Sequence, residues 1–275
     1  MTLHILDIEQ RSDEWYEARR GMVTASVVGQ LLTYEPPSSL EVECPECCMG
    51  PGLMCVSLAR RKHELPTTLK KSHAGRVSAA ATKPPVLVAA NNETSRAVTA
   101  ALVAERVTGW TDPTCTNFDM QRGIEHEPIA RAKYAEVNKV SVTEVGLMIL
   151  ERDGWRLGCS PDGLVGDDGL LEIKCPRAKT HLSTVVANKV PAHYMAQCQA
   201  ALLVSGRQWI DFVSFCSGMP LWTKRVLPDE EWHAAIAEAV AAFEQAAELL
   251  ASNYLSAVVG LPETERIDNE LGLVF

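Results

Sequence analysis

The chain has 275 residues, is 47% hydrophobic and carries a formal net charge of -9. That length suits one domain, or one domain with an insertion, and the apolar content supports a core and argues against global disorder. The acidic balance excludes a simple DNA-coating protein, and no apolar run is long enough to span a bilayer.

Met1 to Trp15 is polar and acidic and lacks a signal-peptide pattern, so a cytoplasmic protein with no membrane partner is expected. Residues 12–33 read as helical: "SDEW" resembles the edge of a capping box, and Trp15, Ala18 and Arg19 follow at helical spacing. "TASVVGQLL" then predicts a second helix, with Thr24 or Ser26 as its N-cap. Residues 36–84 break the pattern with Pro, Gly and a cysteine cluster, and read as an insertion. Between Val56 and Lys83 stand seven Lys or Arg (Arg60, Arg61, Lys62, Lys70, Lys71, Arg76, Lys83) against one acid, Glu64. This stretch is placed to meet an acidic partner.

Residues 91–108 predict an amphipathic helix ending at Gly109, and "GIEHEPIARAKYAEVNK" another. "VSVTEVGLMIL" alternates and is rich in β-formers, predicting a strand; "WRLGCS" and "GLLEIKC" predict two more, joined by a turn around Asp162. "AHYMAQCQAALLVSG" reads as a helix ending at Gly206, "QWIDFVSFC" and "LWTKRVL" as a strand pair, and Asp229 to about Val259 as a long Ala-rich helix. Helix, three strands, helix, two strands, helix describes a mixed α/β core.

Nine cysteines fall into two groups. Cys44, Cys47, Cys48 and Cys55 cluster, while Cys115, Cys159, Cys175, Cys198 and Cys216 are scattered, mostly among apolar neighbours. In a cytoplasmic protein the cluster predicts metal binding and the scatter buried thiols. Cys44-x2-Cys47 followed by Cys55 begins a tetrahedral zinc site, with Cys48 able in principle to replace Cys47; the fourth ligand comes from downstream, where His63 and His73 are the candidates.

The chemistry concentrates in "CSPDGLVGDDGLLEIKCP". On a strand, Glu172 and Lys174 share a face while Ile173 points into the core. A hairpin brings Asp162 to them. Two carboxylates and an amine would converge, as phosphodiester cleavage with Mg²⁺ or Mn²⁺ requires: oxygen ligands for the ion, and a lysine to orient water or offset developing charge. A plain solvent-facing hairpin has the same residues. Glu127, on the helix before these strands, offers a third carboxylate; Tyr194 and Gln197 share one side of the helix after Lys174.

Four motifs in order carry a resemblance: "EWYEARRGMVTAS", "RGIEHEPIARAKY", "CSPDGLVGDDGLLEIKCP" and "HYMAQCQAAL". Together they resemble the lambda-type exonuclease family of viral recombinases, also called YqaJ-like, within the PD-(D/E)xK nuclease superfamily. The resemblance implies a restriction-endonuclease-like α/β core with a central mixed sheet flanked by helices, formed by residues 1–35 and 85–275. It implies that Asp162, Glu172 and the main-chain carbonyl of Ile173 bind the metal, that Lys174 works on the attacking water, and that Glu127 sits at a second metal or holds a water. Gln197 would support the site, Tyr194 would contact substrate, and Arg19, with Ser26 and with Arg20 adjacent, would grip the 5′-phosphate of a DNA end. Residues 36–84 depart from that family's pattern; "CPEC", "PGLMC" and "HAGR" resemble a small phage and actinobacterial zinc-finger module, which favours His73 as the fourth ligand.

The activity implied is 5′ to 3′ degradation of one strand of linear double-stranded DNA, leaving single-stranded tails for recombination. The implied partners are a single-strand annealing protein and further copies of the chain in a ring-shaped trimer. Two alternatives share these residues: a restriction-like or Cas4-like nuclease on the same fold, and a non-catalytic DNA-end-binding protein.

Overall fold

The computed structural model describes residues 1–58, 65–112 and 117–266. His63, Cys115, three of the basic residues (Arg60, Arg61, Lys62) and the end of the C-terminal tail lie outside the described residues. From the N-terminus, β1 (Thr2–Leu6) leads to α1 (Asp13–Arg19), β2 (Val23–Thr24), a 3-10 turn (Val28–Leu31) and β3 (Leu32–Glu35). A second 3-10 turn (Ser39–Glu41), α2 (Ala74–Ala81) and β4 (Val86–Ala89) follow. Then come α3 (Glu93–Thr108), α4 (Phe118–Asn138) and the strands β5 (Val142–Thr143), β6 (Leu147–Arg152), β7 (Trp155–Cys159), β8 (Gly163–Val165) and β9 (Gly169–Lys174). The chain finishes with α5 (Ala178–Ala187), α6 (Ala192–Ser205), β10 (Trp209–Ser214), β11 (Trp222–Val226) and α7 (Glu230–Ala257).

The strands form a sheet of order β1-β6-β7-β2, a sheet of order β11-β10-β9-β8-β5, and the ribbon β3-β4. In the five-stranded sheet β9 is central. It pairs antiparallel with β8 and parallel with β10, placing Glu172 opposite Phe212 and Lys174 opposite Ser214. A parallel pair needs a crossover, and α5 and α6 supply it. The strand is buried on both faces. Leu170 packs into the large core with α6 and α7, while Leu171 and Ile173 pack on the other side with Ala130 and Tyr134 of α4. This alternation aims Glu172 and Lys174 toward α6.

Helix boundaries follow capping chemistry. The Ser12 hydroxyl accepts from the Trp15 amide at 3.2 Å to start α1. Asn92 and Ser95 cap α3 reciprocally, and Gly109 closes it in the left-handed region at φ +64°. Asp229 starts α7, and Gly206 ends α6 at φ +67°.

Three expectations need correction. No second helix follows α1: Val23–Thr24 pairs with β7, and only a 3-10 turn precedes β3, because the apolar run Val23 to Leu31 is buried on several sides rather than along one stripe. Thr24 and Ser26 are therefore not N-caps. "VSVTEVGLMIL" is two strands in different sheets: β5 joins β8, while β6 joins β1 and β7. The break falls at Gly146, where the backbone presses against Ile8. The third correction concerns β7 and β9, which form no hairpin; β8 intervenes, and the hairpin carrying Asp162 is β8–β9. The structure adds the strand β1 and the helix α5 to the elements that the sequence patterns predict.

Residues 36–84 leave from β3 and return into β4, antiparallel strands in which Glu35 faces Val86. Inside this segment Arg76 is fully buried. It donates to the carbonyls of Val42 (2.9 Å), Leu53 (2.6 Å) and Gly50 (2.9 Å). Arg76 therefore belongs to the interior, not to a basic face; Lys70, Lys71 and Lys83 remain exposed. None of the described helices is long and apolar enough to cross a membrane.

A Cβ at position 146 would stand 2.1 Å from the Ile8 carbonyl oxygen, with no flexible side chain to yield. Gly146→Ala is expected to destabilise the chain by about 2 kcal/mol or more, read as a lowered midpoint in thermal unfolding.

Candidate active site and cysteine cluster

The hairpin explains why Asp162 and Glu172 meet. The Asp162 amide donates to the Leu171 carbonyl at 2.9 Å, and the Ile173 amide donates back to Asp162 Oδ2 at 2.5 Å. Glu172 is only 2% exposed. Its Oε1 takes Lys174 Nζ at 2.5 Å and Gln197 Nε2 at 2.6 Å. Lys174 also lies 5.3 Å over the Tyr194 ring. Glu172 Oε2 and Asp162 Oδ1 accept no hydrogen bond from a described residue.

Burial, then the nearby Glu172 charge, push the Asp162 carboxyl well above the ordinary range, outweighing the pull of Lys174. Burial lowers the Lys174 pKa, but Glu172 and Asp162 raise it more, so the amine stays charged. Without a cation the pair thus resists carrying both negative charges, so Asp162 holds its proton more tightly, while Glu172 Oε2 and Asp162 Oδ1 stay open to an ion. This donor set fits a hard divalent cation such as Mg²⁺ or Mn²⁺.

Asp162, Glu172, Ile173, Lys174, Tyr194, Gln197 and Glu127 line one open groove of about 1300 Å³. Arg19 and Ser26 do not line it. Arg19 stacks on Trp15 at 3.7 Å and donates to Thr24 Oγ1 (3.3 Å) and Ser26 Oγ (3.4 Å). Its acceptors are hydroxyls rather than carboxylates, and burial lowers its pKa to about 10. The Trp15 indole donates to Ser160 at 2.8 Å, two residues before Asp162. Arg20 does line the groove, and its buried Nε has no hydrogen-bond partner among the described residues.

Several residues of the site were not singled out from the sequence. Arg11 donates to Glu127 Oε2 and Arg131 to Glu127 Oε1, each at 2.7 Å. Arg122 and Arg177 line the groove and share Asp119, whose carboxyl Arg177, then Arg122, hold below its ordinary range. The i, i+4 spacing of Glu127 and Arg131 was a legible signal. The position of Arg11, whose backbone sits at φ +72°, was not.

In the insertion, the ligand atoms of Cys44, Cys47, Cys55 and His73 all lie within 4.8 Å of one another. A tight turn makes this possible: the Cys48 amide donates to the Cys44 carbonyl at 2.8 Å, and Cys48 takes φ +55°. Cys48 itself is exposed and outside the cluster. His73 occupies the N-cap position of α2, and its Nδ1 lies 3.4 Å from Cys44 Sγ. Burial raises the Cys55 thiol, but the His73 amide and Arg76 guanidinium bring it down to about 6. Three sulfurs and one imidazole at these separations could hold tetrahedral zinc. All eight described cysteines are free thiols; of the scattered ones, Cys159 and Cys198 are buried, with burial raising both.

The model of the YqaJ-like viral recombinase domain matches residues 70–208. A second family, a phage zinc finger domain to which DNA binding is ascribed, matches residues 10–100. Among solved structures, an alkaline exonuclease (LHK-Exo) from Laribacter hongkongensis is 30% identical, covering 91% of this chain and 100% of its own, with a TM-score of 0.63. The same exonuclease in complex with dAMP gives 29% identity over the same shares and a TM-score of 0.64. No curated protein sequence matches. The chain belongs to the YqaJ-like viral recombinase family, and its fold is the mixed α/β fold of that exonuclease.

Two outcomes follow from the charge balance. Asp162 is acidic with a raised pKa, so the folded metal-free chain binds its proton more tightly than the unfolded chain, and stability is lost as pH rises. Asp162→Asn is expected to raise the metal-free melting temperature by roughly 2–4 °C near pH 8, the gain shrinking toward about pH 4. Elemental analysis of the purified chain is expected to find about one zinc per chain, lost in Cys55→Ser.

Proposed function

We propose that the chain is a metal-dependent exonuclease of the phage recombination type. It would degrade one strand of linear double-stranded DNA 5′ to 3′ and leave single-stranded tails. The observation that carries this reading is the convergence of Asp162, Glu172, Lys174 and Gln197 around open carboxylate oxygens in a member of this family. Asp162, Glu172 and the Ile173 carbonyl would hold Mg²⁺ or Mn²⁺. When bound, the ion supplies Lewis-acid polarisation of the phosphodiester and a lowered pKa for a bound water.

The protein's own groups supply positioning. Gln197 fixes one oxygen of Glu172 and leaves the other free. Lys174, held as an ammonium, orients the attacking water or offsets charge that develops on the phosphate. Glu127, each of whose oxygens accepts from an arginine, would sit at a second metal or hold a water. Tyr194 offers a ring beside Lys174 for substrate contact. Arg19, with Ser26 beside it, offers a guanidinium not neutralised by a carboxylate, as a 5′-phosphate grip requires.

On this reading residues 1–35 and 85–275 form the nuclease core and residues 36–84 an inserted zinc-binding module. Lys70, Lys71 and Lys83 give that module a means of meeting the DNA backbone. A single-strand annealing protein is the partner that the product calls for, and a ring-shaped trimer would keep the enzyme on its substrate.

The test is digestion of a linear duplex labelled separately at each 5′ and 3′ end, with and without a 5′-phosphate, in Mg²⁺. Early release of the 5′ label, favoured by the phosphate and lost in Glu172→Ala, is expected. Internal cuts would point instead to a restriction-like enzyme, and binding without cutting to a DNA-end-binding protein.

A further inference from the structure

The turn that presents Asp162 is held residue by residue by side chains from distant parts of the chain. The Trp15 indole donates to Ser160 Oγ at 2.8 Å. Gln10 Nε2 donates to the Pro161 carbonyl at 3.1 Å and to the Val145 carbonyl at 2.8 Å. Arg131 Nε donates to the Asp162 carbonyl at 2.7 Å. Of these three, Arg131 does more. The same guanidinium gives Nη2 to Glu127 Oε1 at 2.7 Å and Nη1 to Glu144 Oε1 at 2.8 Å. Its side chain is 13% exposed, while Glu144 is 73% exposed.

We propose that Arg131 is a positioning residue for the divalent-cation site, joining the main chain of Asp162 to the carboxylate of Glu127 through one rigid fork. The inference rests on the reading of Asp162 and Glu172 as metal ligands. Several features support it. A guanidinium is planar and always charged, so it fixes the angle between its partners as well as their distance. Its Nε bond goes to the carbonyl of Asp162 and leaves both carboxylate oxygens for other work. Arg131 lies on α4, whose Ala130 and Tyr134 are buried against β9, so the helix is a firm platform. Arg11 fills the second oxygen of Glu127 from the loop that also carries Gln10, so one carboxylate and one turn are braced from the same two directions. Lysine at position 131 would keep the charge but could not reach three acceptors in one plane. Methionine would keep the packing and lose the fork.

The first experiment is binding of Mn²⁺ alone to the full chain, followed by electron paramagnetic resonance, with the Mg²⁺ dependence of cleavage measured beside it. Arg131→Met is expected to weaken Mn²⁺ binding about tenfold or more and to raise the half-saturating Mg²⁺ by a similar factor, since outer groups of this kind typically govern metal affinity by 10–100-fold. At saturating Mg²⁺ the KM for DNA ends is expected to stay within about twofold, because Arg131 faces Asp162 and Glu127 rather than substrate. Arg131→Lys is expected to fall between and serves if the methionine variant does not fold. Unchanged Mn²⁺ affinity in either folded variant, with only a lowered melting temperature, would make Arg131 a structural residue and overturn the proposal. If wild type itself bound Mn²⁺ no better than Glu172→Ala, the metal-site reading would fail, and this proposal with it.

Discussion

A buried carboxylate, Glu172, with a half-buried one, Asp162, set beside it is the constraint on which the rest of this molecule depends. Glu172 is inside a strand covered on both faces, and Asp162 is brought against it by the β8–β9 hairpin. Taking such charges from water costs several kcal/mol per ion unless partners replace the solvent. Lys174, Gln197 and the Ile173 amide replace part of it, and each comes from an element whose place the core dictates. The unmet remainder is what makes the centre attractive to a cation. The groove carries the same bias: its lining has seven carboxylates and five Lys or Arg. A polyanion entering it meets repulsion until cations are present, which couples substrate binding to metal binding through simple Coulomb terms.

Much of this was legible in the sequence, because a central strand announces itself. The run "GLLEIKC" is apolar except for two positions of one parity, so the face of Glu172 and Lys174 could be read before any fold was known. The helices α3, α4, α6 and α7 were visible from periodicity and from Gly109, Gly206 and Asp229. The N-terminal third was harder. Val23 to Leu31 is apolar enough for a helix, yet it is wrapped among α3, α6 and α7, and tertiary burial overrode local preference. The short strand β8 was hidden in a turn-rich stretch, and the division of residues 140–150 between two sheets depends on one close approach at Gly146 that composition does not encode.

Charged residues were the least legible. Arg131 shows its i, i+4 spacing to Glu127, but Arg11 looks like any solvated arginine until the fold places Glu127 between the two. Arg76 reads as part of a basic patch and proves to be the interior of the insertion, where its donors satisfy carbonyls that a small loop-rich segment has no regular structure to satisfy. It also approaches Cys55 Sγ at 3.5 Å, so a buried cation sits beside a cluster of three thiols. The Arg76 charge faces inward, toward sulfur, while Lys70, Lys71 and Lys83, the other described basic residues of that run, face water.

The β3–β4 ribbon has a further meaning. The segment between its strands begins at residue 36 and ends at residue 85, yet those ends are held next to each other, about 5 Å apart across one ladder. For the core, the whole excursion is therefore equivalent to a hairpin connection. Its length enters the core's folding only through loop-closure entropy, which grows as the logarithm of the number of residues. Any graft whose own ends meet at one strand spacing satisfies the same boundary condition. The ribbon is in this sense a socket, which fixes the ends of the segment it carries independently of the strands and helices that hold Asp162 and Glu172.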